Sequence, residues 1–384
     1  MSTINQLFPI YGFHWRMNDN WIGHHLNAME IDPIMRSIWL KYLIPTQANT
    51  IRFHVDIMAY PDNPMKSRNP EEYPNSLKRL INLARFAKDK DIKLLPIFAG
   101  TWKYQNEKEK QFLKRTTAFV EDWINCLEIL NETDLYRQLV AWQFEDEMNH
   151  FIRHAGWKEK IYTEMLLDTC ESVRYIEKKF FVPVSVPRMV IFPADMMFFK
   201  DFLCRPLKYV PAMIKSAYYN YELPNDFMAF VRNDGIDMIG VDMYPGLYAP
   251  LATTDTFVKL IKDLCRNFGL QSSYHKLFIV AEAGYPTWPG GIKQENKQNA
   301  FYQSVLSNLW DYYVNGLGEQ QGFLGLLWYC LNDQKIRPIP WPPMEWRFGV
   351  LKTIPRNEWF ATDPSDPKKV WYSLCENNIT HGGE

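Results

Sequence analysis

Short apolar runs rich in β-branched and aromatic residues recur along the chain, separated by longer stretches whose apolar positions return every three to four residues. The short runs predict strands at Leu7–Phe13, Thr50–Val55, Lys93–Phe98, Leu139–Phe144, Val182–Val190, Met238–Met243, Leu277–Ala281 and Phe323–Tyr329. The longer stretches predict helices over Glu107–Leu130, Lys158–Lys179, Thr254–Asn267 and Gln294–Asn315, each charged on one side and apolar on the other. Asp32-Pro33 marks a further helix start, a capping residue followed by Pro at the first helical position. Asp366-Pro367 does the same for a last helix, about 366–376, placed beside the first strand. Between Asp195 and Asp234 an irregular loop and a fifth helix are expected.

Strands alternating with helices indicate an α/β chain with a parallel sheet, and eight strands suffice to close a (β/α)8 barrel. The 384 residues fit one such barrel with long βα loops. Neither an internal repeat nor a Ser/Gly linker interrupts them, so residues 1–384 are expected to form a single catalytic domain. The Pro-rich segments Pro338–Pro343 and around Pro286 and Pro289 follow strand ends, where loops carry the active site of such a barrel.

Composition narrows the function. The 43 basic and 44 acidic side chains nearly cancel, so the basic excess of a nucleic-acid binder is absent. No run approaches the roughly 18 apolar residues of a membrane span. The first residues, with Asp19, His24, His25 and Glu30, contain no apolar run of signal-peptide type, which predicts a cytoplasmic chain. The six cysteines are widely spaced without a CxxC pair, a pattern of neither a zinc site nor a disulfide framework. No metal or cofactor is expected. Aromatic residues reach 15%, enough to supply sugar-stacking platforms as well as core.

Two predicted strands end in carboxylates. Strand four runs into Phe144-Glu145-Asp146-Glu147-Met148-Asn149, and strand seven into Ala281-Glu282-Ala283-Gly284-Tyr285-Pro286. A charge at the end of a strand covered on both faces is costly unless it has partners or a task. A lone Glu there commonly serves a salt bridge or a helix cap. Two of them over one barrel mouth suit glycoside hydrolysis, with one donating a proton to the leaving oxygen and the other attacking the anomeric carbon or activating water.

Several short motifs, in order, resemble clan A of the glycoside hydrolases. Ala48-Asn49-Thr50-Ile51-Arg52 resembles the clan's approach to strand two, and Asp146-Glu147-Met148-Asn149 its strand-four signature. Asp237–Pro245 resembles the strand-six motif ending in Tyr-Pro, here Tyr244-Pro245. Ala281–Pro286 is similar to the strand-seven end of endo-β-1,4-galactanases, and Gly325–Tyr329 to a strand-eight end whose Trp floors the sugar site. Trp346–Val350 is similar to the loop that follows strand eight. The resemblance spans about residues 7 to 375 and leaves the family within the clan unassigned.

The resemblance implies a retaining β-glycosidase acting on a β-linked oligo- or polysaccharide, with Glu147 as acid/base and Glu282 as nucleophile. Arg52 would hold Glu282 anionic, Tyr244 would donate to it, and Asn149 would orient the Glu147 loop. Trp328 would form a sugar platform. His14, Trp15, Trp102 and Trp288 lie at or past other strand ends as candidate contacts, and His54 is a candidate partner for sugar hydroxyls. One position departs: the residue before the acid/base is usually Asn, whereas Asp146, when ionised, only accepts hydrogen bonds. Either the substrate differs, a water bridges, Asp146 is protonated, or Glu145 is the acid/base. Period-two alternation puts Glu145 and Glu147 on one face and does not separate them. Two other readings stand beside the glycosidase: a carbohydrate-binding barrel without turnover, and a metal-dependent sugar enzyme using Glu147, His54, Asp242 and Glu282, which lacks an HxH or HExxH pattern.

Overall fold

The apolar runs pair side by side into a closed, eight-stranded, all-parallel barrel in the computed structural model of the chain. It describes residues 8–14, 39–57, 60–67, 69–99, 109–145, 159–182, 184–193, 223, 225–244, 253–287, 291–331, 349–353 and 364–380. The strands are β1 Ile10–His14, β2 Thr50–Asp56, β3 Lys93–Ala99, β4 Trp142–Phe144, β5 Arg188–Pro193, β6 Met238–Met243, β7 Leu277–Ala283 and β8 Phe323–Tyr329. Each pairs with its sequence neighbour, and β1 closes on β8 with Ile10 opposite Gly325 and His14 opposite Tyr329.

Two cores follow from the alternation of side chains along the strands. Ile10, Leu95, Ala141, Met189, Ile191, Met238, Ile279, Ala281 and Leu327 fill the barrel interior. The opposite faces pack under the helices α1 Asn75–Asp89, α2 Glu109–Leu130, α3 Glu159–Lys179, α4 Asn225–Arg232, α5 Thr254–Phe268, α6 Ile292–Asn315 and α7 Lys369–Thr380. Helix α1 carries no capping side chain at its start, where Pro74 stands, so the usual sequence signal is missing there.

Three predicted boundaries shift. The fourth strand begins at Trp142 instead of Leu139. The fifth strand begins at Arg188, not at Val182; the residue just before it, Pro187, has no N–H to give a ladder. There Trp142 Nε1, Ser185 Oγ and Arg188 Nη1 donate to the buried Glu177 carboxylate, and Arg188 Nη2 lies 2.6 Å from Asp237. Asp366-Pro367 does not open the last helix: Pro364–Pro367 is β10, antiparallel to β9 (Leu351–Thr353), and the helix starts at Lys369. The helix start expected at Asp32-Pro33 lies outside the described residues.

Two local devices shape the strands that bear the site. Asn49 pins β1 to β2: its Oδ1 accepts from Tyr11 N at 2.8 Å and its Nδ2 donates to Phe8 O at 2.9 Å. In β8 an extra residue between Phe323 and Leu326 breaks the register with β7, and Gly325 there has φ +133°. A Cβ at Gly325 would stand 2.0 Å from Ile10 O, inside the β1–β8 seam. Gly325→Ala is therefore expected to destabilise the fold by about 3 kcal/mol or more, read as a lowered urea midpoint or loss of soluble protein.

Candidate active site

His14, Tyr244 and Glu282, at the C-terminal ends of β1, β6 and β7, meet Arg52, the third residue of β2 and the register partner of His14. Glu282 is 3% exposed, and a buried carboxylate needs donors. Its Oε1 accepts from Arg52 Nη1 and, at 2.6 Å, from His14 Nδ1, and its Oε2 accepts from Tyr244 Oη. Arg52 is fully buried, and the ion pair it makes with Glu282 is enclosed.

A bulge aims this carboxylate. Strict alternation along β7 would send Glu282 outward with Phe278 and Val280, which pack under the helices. The register slips instead: Val241 pairs with Val280 but Asp242 with Glu282, and on the other side Val280 pairs with Leu326 but Ala283 with Trp328. One extra residue in β7 puts Ala281 and Glu282 together on the interior side, the re-aiming that bulges produce at strand ends.

The tautomer of His14 follows from its contacts. Its Nδ1 lies 2.6 Å from Glu282 Oε1 and 2.9 Å from Arg52 Nη1, a group that can only donate. A bare nitrogen lone pair against the carboxylate would be repulsive, so Nδ1 carries the proton and gives it to Glu282, with Arg52 donating beside it. Burial first, then the Arg52 charge, lowers the His14 pKa to about 4, so the ring is neutral at neutral pH. Its other nitrogen, Nε2, is buried and has no hydrogen-bond partner among the described residues.

From Arg52 the network continues to strand four. Arg52 Nε donates to Gln143 Oε1 at 2.8 Å, and Gln143 Nε2 donates to Glu145 O at 2.8 Å. Glu145 itself is buried with φ +58°, and its N–H donates to Phe98 O. Such a left-handed residue ends the pleat after Phe144, so period-two alternation stops at Glu145. Glu147, Asp146, Asn149, Trp15, Trp102 and Trp288 lie outside the described residues.

Other predicted contacts are placed differently. His54 is half-buried, with its ring 5.1 Å from His14 in an edge-on arrangement. Trp328 is turned away from the mouth: it is fully buried, stacked at 4.1 Å on Tyr302 of α6, with Nε1 donating to Tyr11 Oη. The neighbouring Tyr329 takes the mouth side, 5.5 Å from the His14 ring and 5.8 Å from that of Tyr244. Sequence reading missed Tyr329 and Gln143. The signal for Gln143 was present, a polar residue two positions after Ala141 in an otherwise apolar strand. Among the described residues, no three His, Cys, Asp or Glu side chains group as a metal site would require.

No protein-family model and no curated protein matches the chain. Solved structures do. An exo-β-1,4-mannosidase from Opitutaceae bacterium strain TAV5 is similar over 97% of this chain and 59% of its own, with TM-score 0.58 and 16% identity. A β-glucosidase from Exiguobacterium marinum is similar over 99% of this chain and all of its own, with TM-score 0.59 and 12% identity. A β-D-glucuronidase from Dictyoglomus thermophilum covers 97% of this chain and 50% of its own, with TM-score 0.54 and 13% identity. What is shared is the fold. This chain thus spans little more than half of the mannosidase and half of the glucuronidase.

The His14 assignment has a measurable consequence. Its folded-state pKa of about 4 lies below the ordinary 6.5, so the unfolded chain binds the extra proton between those values. Stability from this group is present above about pH 6.5 and is lost as pH falls toward 4, by roughly 3 kcal/mol in full. His14→Asn is expected to flatten that part of the pH dependence, checked by urea unfolding of both proteins at pH 7 and pH 4.

Proposed function

We propose that the chain is a retaining β-glycosidase of clan A, a single catalytic barrel with a β-linked oligo- or polysaccharide as substrate and no cofactor. The observation that carries this reading is Glu282: a buried carboxylate at the mouth of an eight-stranded barrel, held by a guanidinium, an imidazole N–H and a phenol. The similarity of the barrel to those of a mannosidase, a glucosidase and a glucuronidase supports it.

In this mechanism Glu282 is the nucleophile. The Arg52 charge and the two other donors favour its ionised form and fix its orientation before substrate arrives. Its carboxylate attacks the anomeric carbon as the bond to the leaving oxygen breaks, while the acid/base, assigned to Glu147, protonates that oxygen. The glycosyl–Glu282 ester is then opened by water, which gives its proton to the Glu147 carboxylate as it attacks the same carbon and releases Glu282. Two inversions leave the anomeric configuration unchanged. The pair must stand about 5–5.5 Å apart for this course.

The Arg52–Gln143–Glu145 chain supports placing the acid/base beyond strand four, since it ties the nucleophile's ion pair to the backbone just before Asp146-Glu147. Glu147→Gln is expected to slow glycosides with poor leaving groups by about 10²-fold or more while sparing nitrophenyl glycosides. Glu145→Gln is expected to leave that leaving-group dependence unaltered, and the reverse pattern would move the role to Glu145.

A screen of nitrophenyl β-glycosides and β-linked oligosaccharides, with the product anomer followed by NMR, tests the whole reading. Retention and a drop in kcat of about 10³-fold or more in Glu282→Gln are expected. Inversion, or turnover indifferent to Glu282, would refute it. Sugar binding without turnover would instead identify a carbohydrate-binding barrel.

A further inference from the structure

His14 is held so that one nitrogen is committed and the other is left over. Its Nδ1–H is spent on Glu282 at 2.6 Å, and turning the ring over would put Cδ2 in that place and cost the carboxylate this donor. The ring is also wedged between two others, edge-on to His54 at 5.1 Å and tilted against Tyr329 at 5.5 Å. The lone pair at Nε2 therefore has a fixed direction. It is buried, yet no group among the described residues donates to it.

A buried acceptor with no donor is uncommon, because its lost hydration is not replaced. Such a group next to a catalytic carboxylate reads as a place kept for a ligand. As a neutral ring with its proton on Nδ1, His14 offers Nε2 only as an acceptor, so its partner must bring an O–H or N–H. On a sugar that donor is a ring hydroxyl. Neither an ether oxygen nor a carboxylate can fill the place.

We propose that His14 is a specificity-determining residue whose Nε2 accepts a hydrogen bond from one free hydroxyl of the sugar ring attacked by Glu282. The inference rests on the glycosidase reading and adds a requirement on the substrate: the sugar whose glycosidic bond is cleaved carries an unsubstituted hydroxyl at the position facing His14. A glycoside lacking that hydroxyl, or carrying it as a methyl ether, leaves the acceptor buried and unpaired and is turned over poorly. The same hydrogen bond, relayed through the ring, adds to the donor strength of Nδ1–H toward Glu282 and so links recognition to the nucleophile.

The two nitrogens can be separated experimentally. In His14→Asn the side-chain amide can occupy the place of Nδ1–H but has nothing at the place of Nε2, whereas His14→Phe removes both. The set of singly deoxygenated nitrophenyl β-glycosides of the best sugar is to be assayed with the wild-type protein and both variants. The expected result is one position at which deoxygenation lowers wild-type kcat/KM by about 10- to 100-fold, with that penalty abolished in His14→Asn while the other positions behave as before. A penalty that persists in His14→Asn at every position, or no position penalised in the wild type, overturns the proposal and leaves Nε2 to a water molecule.

A second measurement does not depend on turnover. Long-range ¹H–¹⁵N correlation of the wild-type protein should show His14 with a protonated Nδ1 and a pyridine-like Nε2. Addition of the free monosaccharide should move the Nε2 resonance toward the hydrogen-bonded range, and the deoxy sugar at the critical position should not. A protonated Nε2 in the free protein overturns the proposal. Absence of any β-glycosidase activity would refute the glycosidase reading alone, while the NMR titration would still decide the role of His14.

Discussion

The dominant constraint on this structure is the burial of one negative charge. Glu282 is nearly sealed from water, and an isolated carboxylate there would cost far more than a domain's net stability. It is held because four strands meet over it. Arg52 from β2 supplies the charge, while His14 from β1 and Tyr244 from β6 supply hydrogen bonds. Gln143 from β4 adds an acceptor for the Arg52 Nε–H. The barrel's closure is thus a condition for the site, since strands one and seven are neighbours of one another only through β8.

The same arrangement distributes roles by distance from the carboxylate. Arg52, His14 and Tyr244 touch Glu282, so they set its charge state and direction. Gln143 touches Arg52 and orients the guanidinium, while Asn49, through Tyr11 and Phe8, locks β1 against β2. Trp328 and Tyr302 are further out and serve packing, a stacked pair that joins β8 to helix α6. At the opposite end of the barrel, Glu177 and Arg188 form a second buried ion pair, with the half-buried Asp237 beside Arg188, away from the mouth, where holding the sheet geometry is the physical task.

Much of this was legible in the chain because parallel barrels are written in a coarse code. Continuous apolar runs mark the strands, amphipathic stretches mark the helices, and seven of the eight strands lie where those runs are. The fifth strand was misplaced because Pro183 and Pro187 interrupt a run whose apolar content alone resembles a strand. The Asp-Pro pair before the last helix was misread because the same dipeptide serves a short antiparallel pairing with β9. The clustering of Arg52, Tyr244 and Glu282 was implied by the resemblance of the motifs that carry them, and both Arg52 and Tyr244 do contact Glu282.

What residue order determined, then, is the count of strands, their hydrophobic faces and the list of polar residues that the fold would have to accommodate. Which way several of those residues point was settled only in three dimensions. Glu282 faces the interior because of a bulge that pairing with β6 and β8 imposes, against the parity of its own strand. Trp328 faces the helices and Tyr329 the mouth because the β8 register, shifted at Gly325, leaves them so. Glu145 leaves the pleat in a left-handed conformation that no propensity for Glu would favour. In each case the deciding term is a contact between strands far apart in sequence, and local pattern carries no information about such contacts.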